Sequence, residues 1–438
     1  MTWSPPRPPL SKVVIVNTAD LGGGAERVSM AVLDGFTALG IDTWLLVGDK
    51  RTDHPRVLPF HLSPFFDYRP YGKALNLAAL RFRRRADRWL GLEDFNYPYS
   101  HRILELTGAP PDLVLCHNLH GGYFDLHALA ALSRRVPVVL QLFDSWLMTG
   151  HCASARGCPR WQTGCGRCPD LTIPPAVARD LTRVNWWRKR RILREARVYV
   201  SAESQWMLDR ASQSLLAPAV VKWNLIPGGV DLDTFSPGSQ LTARRELGLA
   251  HLGHIAIFVA NQGSQSLFKD FTTVRLAMAE LARRAPDTRL ELLIAGADGP
   301  EEQIAPGVVA RRIGYIHSPR RLAALLRAAD VYVHAALEEP FGLSVAEALA
   351  CGTPVVTASS GGILEIVEHG RTALVVPPRD WVALADAIAR FLGDPPLAEM
   401  IGAAGAASAR ARLNQETMIG SLYAWCTEIH ASWATSAY

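Results

Sequence analysis

The residues best suited to do chemistry stand between Glu338 and Val356, beginning with the run Glu338-Glu339-Pro340-Phe341-Gly342-Leu343. Pro340 and Gly342 make an irregular loop, a helix is predicted from about Leu343, Gly352 stops it, and Val355-Val356 opens a buried strand. A loop that feeds a helix presents free backbone N–H groups at the positive end of the helix dipole, a ready site for a diphosphate. Glu339 closes the loop, and Glu347 lies just over one turn inside the helix. Two carboxylates so spaced can flank one ligand and accept hydrogen bonds from two different sets of hydroxyls. The competing reading is a buried helix that carries its carboxylates by chance.

Further candidates sit earlier in the chain. Four of the seven cysteines cluster as Cys152-x5-Cys158-x6-Cys165-x2-Cys168. Thiolates at that spacing can close a tetrahedral zinc site that ties down a loop with no core of its own, and His151 could replace one of them. Four thiolates leave the metal no open position, so such a zinc is structural. Reduced thiols, disulfides or another metal are the alternatives. His117, His120 and Asp144 fall at or just after presumed strand ends, the usual edge for a site in an open parallel sheet. His120 is read first as a packed histidine, whereas His117 and Asp144 are carried as candidates.

These groups need a scaffold, and the chain supplies two alternating α/β series. Residues 12–17 (KVVIVN) form a β-branched apolar run that leads into Gly22-Gly23-Gly24 and a helical pattern to residue 39. Apolar runs at 43–47, 112–116, 137–142 and 197–200 alternate with segments of helical spacing, which predicts βα units and a parallel sheet. Pro227, Gly228, Gly229 and Pro237 mark a linker. The alternation restarts with strands at 254–260, 290–295, 330–334 and 353–357 and a helix over 272–284, and a helical tail begins at 397. The expected fold is α/β, with two doubly wound domains: 1–228, carrying a cysteine-rich loop at 150–170, and 229–412. A helix over 413–438 is expected to return to the first domain.

The 438 residues, 49% hydrophobic and 20% charged, suffice for two buried cores. No stretch approaches the roughly 20 apolar residues that span a bilayer, and the proline-rich start has no apolar signal core, so a cytoplasmic protein is expected. Charge is uneven: residues 1–228 hold 29 Lys and Arg against 19 Asp and Glu, within a chain of net charge +5. The densest basic runs, Arg81-Phe82-Arg83-Arg84-Arg85 with Trp89 and Trp186-Trp187-Arg188-Lys189-Arg190-Arg191, suit a helix lying on anionic lipid or, equally, a solvated basic face. No helix-turn-helix, RNA-recognition or zinc-finger pattern accompanies them, so no nucleic-acid partner is expected.

The stretch from Glu339 to Glu347 closely resembles the Glu-x7-Glu motif of the large retaining glycosyltransferase family 4, whose members have the GT-B fold, two Rossmann-like domains facing a central cleft. By that resemblance Glu339 contacts the donor sugar, Glu347 binds the ribose, and the backbone of Phe341, Gly342 and Leu343 holds the diphosphate. Gly361-Gly362-Ile363-Leu364-Glu365-Ile366 is similar to the family's Gly-Gly-x-Pro-Glu-Ile loop, with Leu364 in place of proline. Lys269 matches a family lysine that faces the diphosphate. No arginine stands at the neighbouring strand end, where Asn261 or Gln262 would donate a hydrogen bond without charge. Gly314-Tyr315-Ile316 resembles the segment that reads the base, with Tyr315 and Ile316 as contacts, and Gly22-Gly23-Gly24 resembles the first-domain loop facing the phosphates.

The segments His117-Asn118-Leu119-His120-Gly121, Asp144-Ser145-Trp146, Thr149-Gly150-His151-Cys152 and Gly164-Cys165-Gly166-Arg167-Cys168-Pro169 look like those of exopolysaccharide and colanic-acid type glycosyltransferases. The resemblance places His117 near the donor sugar or acceptor hydroxyl. It implies retaining transfer from a nucleotide-diphosphate-sugar co-substrate to a lipid-linked glycan at the inner membrane face, with no catalytic metal. The missing arginine beside Asn261 keeps an alternative open, a catalytically silent nucleotide-sugar-binding subunit of a polysaccharide assembly complex.

Overall fold

The computed structural model describes residues 10–60, 84–87, 89–249, 253–261, 263–296 and 298–433. Of the sequence features above, the proline-rich start, Arg81 to Arg83 and Gln262 lie outside the described residues. The chain divides into two compact units, one of Met1–Ile226 with Ile419–Tyr438 and the other of Pro227–Met418. Among the described residues no helix is long and apolar enough to cross a membrane.

The first unit is built on strands β1 (Lys12–Ala19), β2 (Asp42–Asp49), β3 (Val57–Pro59), β4 (Leu113–Cys116), β5 (Val138–Leu142), β6 (Val198–Ala202) and β7 (Val220–Leu225). They form one sheet in the order β3-β2-β1-β4-β5-β6-β7, parallel at every described pairing. Helices cover both faces of such a sheet, so its central strands are apolar without alternation. The Val13–Val16 run pairs residue for residue with Leu113–Cys116, all eight side chains buried. The Gly24–Ala38 helix turns Val28, Val32, Leu33 and Phe36 inward at helical spacing. The Gln415–Trp433 helix packs on it: Ile419 lies over Gly35, where a Cβ would come within 2.7 Å of Ile419 Cδ1, and Tyr423 meets Phe36 edge-on at 5.9 Å.

The second unit repeats the plan with β8 (His254–Val259), β9 (Leu290–Ala295), β10 (Glu302–Ala305), β11 (Val308–Arg312), β12 (Val331–His334), β13 (Val355–Ala358) and β14 (Leu374–Val376). The order is β10-β11-β9-β8-β12-β13-β14, parallel except for the β10–β11 hairpin at one edge. One core, around Phe235, Ile257, Leu326 and Phe341, lies on one face, and another, around Phe258, Val274, Ile294 and Ile388, lies on the opposite face. Both sheets therefore have the Rossmann-like, doubly wound architecture expected for this chain. Chain progression reverses between β1 and β4 in the first and between β8 and β12 in the second. At such a reversal the connections leave in opposite directions and open a crevice beyond the carboxyl ends of the strands. His117 follows β4, and His334 ends β12.

The strand ends at the second reversal are held by close backbone contact. Gly296, directly after β9, has φ 118°, donates its N–H to the Gly314 carbonyl at 2.8 Å, and would place a Cβ 1.7 Å from the Ala260 oxygen. Only glycine satisfies both the positive φ and the contact. Gly296→Ala is expected to cost about 2 kcal/mol or more, measured by chemical denaturation; a variant as stable as the parent would contradict this packing.

Candidate functional site

In the second unit three side chains from separate elements converge at the β8–β12 reversal. Lys269 comes from the loop after β8, one residue before Asp270, which caps the Phe271–Arg284 helix through Thr273. His334 ends β12, and Glu339 lies in the loop that follows. Lys269 Nζ donates to Glu339 Oε2 and lies 3.4 Å from His334 Nε2, which is itself 3.3 Å from the same carboxylate oxygen. The imidazole is 1% exposed, and the Lys269 and Glu339 side chains are 18% and 15% exposed, so the pair faces outward from a buried base. His334 was missed in the sequence; a histidine ending an apolar strand carries no local signal.

The backbone fixes Glu339 tightly. Its carbonyl accepts from Gly362 N–H at 2.8 Å, and Gly361, at φ 57°, would put a Cβ 2.2 Å from that oxygen. Gly342 has φ 95° and would meet Ile363 Cδ1 at 2.3 Å. The loop before the Leu343–Ala350 helix and the Gly361-Gly362 loop thus touch through glycines, and larger residues would push Glu339 away. The helix starts at Gly342 without a side-chain cap, leaving its positive end available to an anion. Glu347 is buried inside that helix, Phe341 is buried against Gly228, Tyr315 and Ile316 are half-buried, and Asn261 is exposed.

Burial would push the Glu339 carboxyl up, but the Lys269 ammonium outweighs it and holds the group down to about 2. Burial, reinforced by Lys269, pushes His334 down, so the imidazole is neutral at pH 7. A depressed carboxyl contributes stability in full above its ordinary value of 4.5, and that contribution is lost as pH falls toward about 2. The stability gap between the parent and Glu339→Gln, followed by urea denaturation, is expected to be constant above pH 5 and to narrow from pH 4.5 downward. A gap independent of pH would contradict the pairing.

In the first unit the β1–β4 reversal gathers His117, His120 and Asp144. His117 is buried, bonds Ser29 Oγ through Nδ1 at 2.6 Å, and is pushed down by burial to about 3, which keeps it neutral. Burial also works against charge on His120, but Asp144 Oδ2, 2.8 Å from its Nε2, prevails and raises it. His120, read first as a packed ring, is held against Asp144. Asp144 in turn accepts from the Trp146 N–H at 2.7 Å. Gly23 N–H donates to Glu26 Oε2 at 2.7 Å, so this amide of the glycine loop already has an acceptor.

Beneath Trp146 lies an ion pair. Lys189 and Glu93, both buried, stand 2.7 Å apart; the ammonium also donates to the Trp146 carbonyl at 2.9 Å and sits 3.9 Å from the indole centroid, while the indole N–H donates to Glu93. This corrects the reading of 186–191 as one basic face: Trp186 and Lys189 point inward, and Trp187, 52% exposed, points out. Above the pair opens a cavity of about 410 Å³ whose walls include Tyr97, Phe124, Trp146, His120, Glu93 and Arg84. Arg84 is ion-paired to Asp94 at 3.0 Å and lies over Tyr97.

The cysteine loop departs from expectation. Cys152, Cys158, Cys165 and Cys168 line one cavity of about 20 Å³, and all are free thiols. Among the described residues no group of three or more His, Cys, Asp or Glu side chains is placed to hold a metal ion. The sulfurs instead have separate partners: Cys165 accepts from Gly150 N–H at 3.2 Å, and Cys168 lies 3.4 Å from both His151 Nε2 and the Asp170 carbonyl. Burial pushes Cys152 up to about 12 and Cys165 up to about 11. The expected four-thiolate zinc site is not assembled by this geometry.

Known proteins bear on both units. Residues 22–234 match the family described as Glycosyltransferase Family 4, and residues 242–408 match Glycosyl transferases group 1. A D-inositol 3-phosphate glycosyltransferase of Kribbella flavida is 36% identical over 196 residues, 42% of this chain and 46% of the relative. The chain thus spans about half the length of this curated relative, whose name is not that of the exopolysaccharide type implied by the first-domain motifs. Among solved structures, a sucrose-phosphate synthase from Thermosynechococcus elongatus aligns with TM-score 0.68 at 21% identity over 96% of this chain and 100% of its own. The Anabaena protein HepE in complex with UDP-glucose aligns with TM-score 0.64 at 18% identity over 96% and 99%. The chain accordingly carries a glycosyltransferase family 4 domain followed by a group 1 glycosyl transferase domain, and each unit has the Rossmann-like sheet characteristic of the GT-B fold.

Proposed function

We propose that this protein is a retaining glycosyltransferase that moves a sugar from a nucleotide-diphosphate-sugar to a glycan acceptor. The observation that carries the reading is the Lys269–Glu339 pair beside an uncapped helix N-terminus at a sheet reversal. An ammonium and a helix end stabilise negative charge on a leaving diphosphate, and this charge appears only as the bond to the sugar breaks. Glu339 accepts from sugar hydroxyls, Glu347 from the ribose, and Tyr315 and Ile316 border the base. The leaving diphosphate takes the proton of the attacking acceptor hydroxyl, so the step needs neither a separate base nor a catalytic metal. Retention follows the resemblance to family 4.

For the acceptor, the cavity above the Glu93–Lys189 pair is the candidate. Aromatic faces with carboxylates suit a hydroxyl-rich ring. Its cation Arg84 is already paired with Asp94, which disfavours a phosphorylated polyol such as the one in the relative's name and favours an uncharged glycan. Trp187 and Trp89 are exposed, with Arg190 4.8 Å from the first ring and Arg179 3.7 Å from the second. Aromatic rings flanked by arginines suit an anionic lipid surface, in keeping with a lipid-linked acceptor in surface or exopolysaccharide synthesis at the inner membrane face. Asn261, exposed where the family has an arginine, favours one second reading, a silent donor-binding subunit.

The test is nucleoside diphosphate release from UDP-, GDP- and ADP-sugars with and without membrane lipid extract. The parent is expected to release one nucleotide faster with extract, and Lys269→Ala and Glu339→Ala to fall about 100-fold or more with the fold intact. Donor binding without any release would favour the silent subunit, and near-parental rates in both variants would sink the assignment of these residues.

A further inference from the structure

The third member of the donor cluster, His334, has a role that neither the motif nor the proposed mechanism uses. It lies directly across the sheet from Thr357, its partner in the β12–β13 register, and its Nδ1 is 3.1 Å from Thr357 Oγ1. The Thr357 hydroxyl directs its proton to the Ala358 carbonyl at 3.2 Å, so its oxygen accepts from the imidazole Nδ1–H. The neutral ring then presents the Nε2 lone pair to the Lys269 ammonium 3.4 Å away. With that tautomer, Nε2 and Glu339 Oε2, 3.3 Å apart, both accept from the Lys269 ammonium.

We propose that His334 is a positioning residue of the donor site: it holds the Lys269 ammonium through an uncharged acceptor, so that Lys269 stays aimed when Glu339 turns to the sugar. This rests on the donor-site reading above. An ammonium has three N–H donors. One goes to Glu339 and one to His334, which leaves a third for a phosphate oxygen. Were Glu339 the sole partner, ligand binding that draws the carboxylate to sugar hydroxyls would free a long, flexible side chain and its orientation would be lost. A second carboxylate in place of His334 would cancel the charge that the leaving diphosphate needs. An apolar side chain would offer no acceptor. A neutral imidazole anchored at its far end by Thr357 avoids both faults, and burial, with the neighbouring ammonium, keeps it neutral. The groups facing it are Lys269, Glu339 and Thr357, from three different elements.

Three variants separate this role from simple packing. His334→Gln can carry an amide oxygen to the Nε2 position, His334→Asn is too short to reach Lys269, and His334→Leu fills the space without an acceptor. Each is assayed for kcat and KM by nucleoside diphosphate release from UDP-glucose, GDP-mannose and ADP-glucose, with thermal midpoints measured alongside. The expected result is that Leu and Asn lower kcat about 10- to 100-fold, the effect of one hydrogen bond to a charged group, with smaller changes in KM. Gln is expected to stay within about 3-fold of the parent. Should His334→Leu not fold, the Gln–Asn contrast alone decides. Equal kcat in the Gln and Asn variants, whether retained or lost, overturns the inference while Lys269→Ala still reports on the donor site. A parent that releases no nucleotide from any of the three and shows no thermal shift with UDP, GDP or ADP overturns the donor reading, and this inference with it.

Discussion

The second unit of this protein depends on an ammonium and a carboxylate held together at the rim of a parallel sheet. Left alone, Lys269 and Glu339 would be an ordinary partly exposed ion pair of small net worth. What makes them a site is that each is fixed by something else. Glu339 is held by its carbonyl on the Gly361-Gly362 loop, Lys269 by the capped start of the next helix, and both by His334 at the strand end. The sheet reversal between β8 and β12 explains why these elements meet: strands that diverge in connection leave their carboxyl ends uncovered, and loops from both sides reach into the gap. The same pair that lowers Glu339 in the free protein can be exchanged for a ligand carrying phosphate for one partner and hydroxyls for the other.

The first unit solves a different problem. Burying Lys189 and Glu93 costs desolvation of two charges, and burial pushes the Glu93 carboxyl up and the Lys189 ammonium down; the Trp146 carbonyl and ring meet the ammonium, and the indole N–H meets the carboxylate, which offsets part of that cost. Trp146 so anchored orients Asp144 through its backbone N–H, and Asp144 in turn orients His120. The buried pair thus forms part of the wall of the 410 Å³ cavity, through Glu93 itself and through Trp146. Truncating one partner would leave the other buried without its counter-charge and would disturb the wall that Trp146 forms.

Much of this was legible in the sequence because it is local. Glu339, Gly342 and Glu347 occupy one loop–helix junction, and the central strands are continuous apolar runs that only a two-sided sheet explains. Strands β3, β7, β10, β11 and β14 were not legible, and β7 shows why: as an edge strand it exposes Val221 and Leu225 and carries Lys222, so it has neither a continuous apolar run nor clean alternation. His334 and Lys189 were missed for a related reason. A histidine ending VYVH and a lysine among arginines become informative only when the fold brings Lys269 and Glu93 to them. The cysteine spacing permitted a tetrahedral site, but spacing does not specify the turns that carry the sulfurs, among which Arg156, Cys165 and Arg167 adopt positive φ.

Lys269 is expected to belong to a nucleoside diphosphate site in the second unit. Calorimetric titration of UDP, GDP and ADP into the parent and into Lys269→Ala tests it without any assumption about the acceptor. One of the three is expected to bind the parent, and removing the ammonium is expected to weaken that nucleotide about 10-fold or more. Binding of none of them, or equal affinity in both proteins, would contradict it.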